Sequence, residues 1–153
     1  MKVRVDVGAG IDTFITDLEK YQAYTEEFSK RAIWEGARIV TDDIRKSIQS
    51  LNTVDGRVKD YEKEGLLEGL GIATMKNSGD VIDTKIGMDG YNHHPTKKYP
   101  KGQPNAMIAR SIEKGTSFRR PTPFISTAVE RSSQRAVAAM SAEFDRLTAQ
   151  VMV

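Results

Sequence analysis

Between Tyr24 and Leu51 the apolar side chains return at helical steps, as Phe28, Ala32, Ala37, Val40, Ile44, Ile48 and Leu51, while Arg, Lys, Asp and Glu fill the opposite side. A stripe of that length predicts a long amphipathic helix, which must bury its apolar side against another element. The run LNTVDG ends it, because Asn52, Asp55 and Gly56 favour local turns. A second long helix is expected from Pro121-Thr122-Pro123, with Thr122 as cap and Pro123 in the first turn. It carries Phe124, Ala128, Val129, Ala136, Val137, Met140, Phe144, Leu147 and Val151.

The remaining segments are shorter. Ile11, Phe14, Ile15 and Leu18 recur at three- and four-residue steps and predict a short amphipathic helix. Residues 57–69 are highly charged and interrupted by glycine, which predicts a loop with about one helical turn. Ile72, Thr74 and Lys76 alternate up to Asn77-Ser78-Gly79-Asp80, and Val81, Asp83 and Lys85 alternate after it, so a β-hairpin is expected over about 71–88. Asp83 would share a face with Val81 and Lys85 and suit a cross-strand ion pair. The stretch YNHHPTKKYPKGQPN has almost no aliphatic residue and predicts a flexible, exposed basic loop over about 90–105. Met107, Ile108 and Ile112 fit neither period well and allow a third strand or a short helix, of which the strand, over about 107–114, is the favoured reading.

A chain of 153 residues accommodates one domain, expected to span 1–153. Its hydrophobic share of 39% against 29% charged predicts a thin core, with helices that complete their burial against a partner. The absence of cysteine excludes a disulfide framework and thiolate metal sites. No stretch approaches the apolar length of a membrane span, and the start MKVRVDVGAG lacks a signal-like run, so no membrane partner is expected.

Chemistry-bearing patterns are sparse. No serine lies in a nucleophile-elbow context, and the glycines match no phosphate-binding loop. His93 and His94, with Asp80, Asp83 and Asp89 nearby in sequence, are the material for a divalent-metal site, against the plainer reading of solvated loop histidines. No metal or other cofactor is expected. Within 90–122, Lys97, Lys98, Lys101, Arg110, Lys114, Arg119 and Arg120 face Glu113 alone. With Tyr99 and Phe118 among them, that segment is the candidate for a free-standing DNA-binding function, or for contact with an acidic partner.

Ile112-Glu113-Lys114-Gly115-Thr116, followed by Pro121-Thr122-Pro123-Phe124-Ile125 and Ala128, resembles the ending of the tail-component or neck-protein family of long-tailed bacteriophages and prophages, whose members act in head–tail joining and tail completion. Ser47-Ile48 near the end of the first long helix, and the hairpin after it, fall in the order that family shows. The resemblance implies an α+β fold in which the long N- and C-terminal amphipathic helices pack on a small antiparallel β-sheet. Glu113, Gly115, Thr116, Pro123 and Phe124 are then structural residues of the family motif. The resemblance brings no catalytic residue, and the chain is expected to be a non-enzymatic, ring-forming virion subunit at the head–tail junction or upper tail, assembled in the host cytoplasm. Its partners would be its own copies and other connector or tail-tube proteins. Lys97, Lys98, Lys101, Arg119 and Arg120 are the candidates, on charge, for a surface facing the channel and in non-specific contact with packaged DNA.

Overall fold

The computed structural model describes residues 2–8, 12–17 and 26–151. Nine elements follow in order: β1 (Lys2–Val7), β2 (Thr13–Asp17), α1 (Glu26–Gln49), α2 (Asp60–Gly69), β3 (Leu70–Ile72), β4 (Lys76–Asn77), β5 (Val81–Met88), α3 (Asn105–Lys114) and α4 (Phe124–Val151). The fold is α+β, and both long helices form as expected.

The sheet is mixed, not antiparallel. Its strands run β2-β1-β5-β3, with β4 pairing β5 beyond the turn at 78–80. The hairpin stands, since β3 and β4 both run antiparallel to β5. The third strand does not come from 107–114. β1 takes that place, parallel to β5, with Val3, Val5 and Val7 opposite Ile82, Thr84 and Ile86. All six are buried, and the residues between them point to the other face, where Arg4 pairs with Asp83. Asp83 thus makes a cross-strand ion pair, with a partner from the chain's opening segment.

Segment 107–114 is helical because Ile108, Ala109 and Ile112 are its buried set, a helical spacing that leaves Met107 at the surface. Residues 13–17, expected to be helical, form strand β2 against β1. Four apolar residues spread over about two turns are too few to decide the period, and the run Thr-Phe-Ile-Thr carries the β-branched and aromatic types that a pleated surface favours. Ile11 and Leu18 lie outside the described residues.

α2 also replaces an expected loop. Gly65 and Gly69 are the packing face of this helix: a Cβ on Gly65 would stand 2.5 Å from Asn105 Oδ1, and one on Gly69 would collide with the Asp89 carbonyl. The cost of glycine in a helix is offset by that close approach. Glu62 opens the helix by accepting the Lys59 N–H at 2.9 Å, and Lys63 Nζ reaches the Gln49 and Leu51 carbonyls at 2.7 and 3.0 Å, satisfying the C-terminal end of α1.

The core lies between α1, α4 and one face of the sheet. Gly36 on α1 lets Met140 of α4 pack directly against the helix backbone, and the Phe28 and Phe144 rings meet edge to face with centroids 6.2 Å apart. Buried Asp43 receives Arg131 Nε at 2.9 Å and Arg135 at 3.4 Å from α4. On the opposite face of the sheet Lys2, Ile15 and Lys85 are exposed.

Candidate functional site

Glu113, Gly115, Thr116, Pro123 and Phe124 lie at the junction between α3 and α4. Glu113, in the last turn of α3, is buried, and its Oε2 accepts the Ile125 N–H at 2.8 Å. Its Oε1 accepts the Ser126 N–H at 3.1 Å and the Ser126 hydroxyl at 2.7 Å. The cap of α4 is therefore a carboxylate supplied by the preceding helix, in place of Thr122, and its charge sits where the helix dipole favours it. Gly115 turns the chain at φ 77°, and a Cβ there would lie 2.8 Å from Pro121 Cδ. Thr122 N–H donates to the Ile112 carbonyl at 2.7 Å, which closes the junction, and Phe124 is buried at the start of α4.

The turn between these helices projects outward. Thr116 and Arg119 pair across it at 2.9 and 3.3 Å, and the Thr116 hydroxyl accepts the Phe118 N–H at 3.1 Å. Phe118, at its tip, is 98% exposed. Arg119 points the other way: its Nη2 donates to both carboxylate oxygens of buried Glu62 at 2.8 Å, and its side chain is only 16% exposed. That guanidinium ties the turn to α2 and has its charge matched inside the fold. Arg120 is exposed.

The basic loop presents Lys97, Lys98 and Lys101 at the surface, with Lys98 Nζ 5.6 Å from the centroid of the Tyr99 ring. The loop is closed at its base by the Tyr91–Pro104 bridge and by buried Asn92, whose Oδ1 accepts the His94 and Gln103 N–H groups. The structure thus keeps Lys97, Lys98 and Lys101 exposed on one loop and engages Arg119 with buried Glu62.

The two histidines diverge. His93 Nε2 lies 2.6 Å from Glu68 Oε2, while the His94 ring stacks on Tyr61 with centroids 3.9 Å apart. Asp83 is held by Arg4, and among the described residues no three histidines and carboxylates are grouped to hold a metal ion.

Sequence reasoning did not find a cavity of about 550 Å³ beside the ends of β1, β3 and β5. Ile44, Leu70, Ile86, Ala106, Ala109 and Ile125 form its apolar wall, and Asp6, Lys85 and Asp89 are its charged residues. Gly71 and Gly87 face each other across β3 and β5, with nothing within 4 Å of where a Cβ would stand on either. Their pairing was the only advance signal, since paired strand glycines mark a place where something can approach the backbone.

No protein-family model matches the chain, and neither the curated proteins nor the solved structures include a significant match. Among the described residues no helix is long and apolar enough to cross a membrane.

Proposed function

We propose that this chain is a structural virion protein of a tailed bacteriophage or prophage, a ring-forming subunit at the head–tail junction or upper tail that serves tail completion or head–tail joining, and not an enzyme. The resemblance that suggests this rests on Glu113, Gly115, Thr116, Pro123 and Phe124, which belong to one capped and closed junction. The observation that carries the reading is what that junction displays. Single exposed apolar side chains are ordinary on any protein. Phe118, however, stands almost wholly in solvent on a turn fixed at both ends, by Gly115 against Pro121 and by Arg119 against Glu62. A rigid apolar knob is suited to burial in a neighbour, and half-exposed Trp34 on α1 offers a second contact for other connector or tail-tube proteins.

In this reading Lys97, Lys98, Lys101 and Arg120 face the channel and contact packaged DNA without sequence preference. The same lysines support the alternative of a free-standing DNA-binding protein, which would bind as a monomer.

Mass spectrometry of purified tailed particles carrying this gene tests the proposal. Peptides of this chain are expected at a constant multi-copy ratio to the tail proteins. Intact particles without them contradict it.

A further inference from the structure

The knob and the cavity lie on the same chain yet do not meet, because Phe118 is 98% exposed and is not part of the wall around Ile86 and Ile125. We propose that Phe118 of one copy enters the cavity beside β3 and β5 of the next copy, making a head-to-tail contact. The inference rests on the ring reading and names the surfaces that form the ring.

Shape and charge both favour a second copy as the occupant. The cavity volume of about 550 Å³ admits an aromatic side chain, and Ile72, Ala73, Met88 and Ala106 are the apolar lining residues that keep accessible surface, since Ile44, Ile86, Ala109 and Ile125 are buried. On the sheet face that carries Asp6 and Lys85, away from buried Ile86, the bare backbone at Gly71 and Gly87 lets a ring lie flat against the strands, where a side chain on either residue would hold it off. Exposed Lys114 and Arg120 lie on either side of Phe118 in sequence, and among the described residues the cavity is lined by Asp6 and Asp89 with Lys85 as the one cation. The knob therefore brings positive charge to a site with an acidic excess, which favours this pairing and opposes knob against knob. Two different surfaces of one chain form a heterologous contact, which closes into a ring when its rotation permits.

The chain contains no cysteine, so single thiols can be placed at will. Ala106→Cys marks the cavity mouth, Ser117→Cys marks the knob while keeping Phe118, and Gln134→Cys on the exposed side of α4 serves as control. The first two variants are mixed in equal amounts and treated with a short bismaleimide. The mixed cross-link is expected to exceed either homodimer, and every pairing with the control. Adding Phe118→Asp to the Ser117→Cys variant should lower its yield by about tenfold or more, the factor expected for removing one buried aromatic side chain. No excess of the mixed product, or an excess that Phe118→Asp leaves unchanged, overturns the pairing.

Light scattering on the same proteins separates the two claims. A ring whose mass survives Phe118→Asp refutes this contact and leaves the ring reading standing. A specific, Phe118-dependent cross-link in a chain that grows into open polymers supports the contact and refutes the ring, whereas a mass that stops at a dimer refutes the head-to-tail contact.

Discussion

Glu113 stands at the end of one helix and holds the start of another: its carboxylate accepts the Ile125 N–H at 2.8 Å across a turn that carries the exposed Phe118. The same residue accepts two further bonds from Ser126, so one buried side chain sets the angle at which α3 hands the chain to α4. Glu113→Ala leaves those N–H groups without their acceptor inside the fold and should cost about 2–3 kcal/mol of stability. Glu113→Gln keeps one carbonyl oxygen and should cost less. Urea unfolding of both variants checks the order, and equal midpoints for Glu113→Ala and the parent chain would remove the cap from the account.

Gly36 sits where α4 comes closest to α1, and a methyl group there would overlap Met140. Gly36→Ala should destabilise by about 1–3 kcal/mol through overpacking, in spite of alanine's better helix propensity. Met140→Ala opens a cavity when made alone, yet paired with Gly36→Ala it should cost less than the sum of the two changes. Additive losses in a thermal or urea double-mutant cycle would mean that the two side chains do not compete for one space.

Glu143 offers a test in pH. The Arg146 guanidinium, bonded to it at 2.6 and 3.0 Å, holds its carboxyl below the ordinary glutamate value, burial opposes the shift, and Arg31 adds to it. A lowered carboxyl contributes stability above its unfolded value and loses it as pH falls through the folded one. Carbon-detected NMR should find Glu143 titrating below the ordinary glutamate value, and Arg146→Ala should move it upward. A titration unmoved by Arg146→Ala would assign the shift elsewhere.

The basic loop makes a prediction about salt. Alanine at Lys97, Lys98 and Lys101 together should flatten the dependence of log affinity for duplex DNA on log salt by about 0.9 for each phosphate that is no longer neutralised. The effect should be the same on unrelated sequences. Arg119→Ala, in contrast, should lower stability by unpairing buried Glu62 and leave that slope unchanged, because its guanidinium is already bound. A slope that responds to Arg119 and ignores the lysines would reverse the assignment.

The long helices were legible because a period of 3.6 repeated over six turns or more has no competing reading. β5 was legible from its alternation and from the turn at Ser78-Gly79. β1 alternates just as clearly at Val3, Val5 and Val7, but its role as a parallel neighbour of β5 depends on a contact 79 residues away, between Arg4 and Asp83. α2 was hidden by Gly65 and Gly69, whose value lies in the close approach of Asn105 and Asp89 and not in helix propensity. α3 was hidden because its buried set, Ile108, Ala109 and Ile112, is too short to separate one period from the other. The motif at 113–124 was visible as residues, while its chemistry was not. That Glu113 caps α4, and that Arg119 serves Glu62 from 57 residues away, follows only once the chain has folded.

The absolute mass of the purified chain by light scattering, across a range of concentrations and at low and moderate salt, tests the central claim that this protein works by assembling with itself. The account predicts a rise with concentration toward one closed, ring-sized species, and its loss in Phe118→Asp. A strict monomer at every concentration, binding DNA in a salt-dependent manner, would contradict it and favour the free-standing DNA-binding alternative.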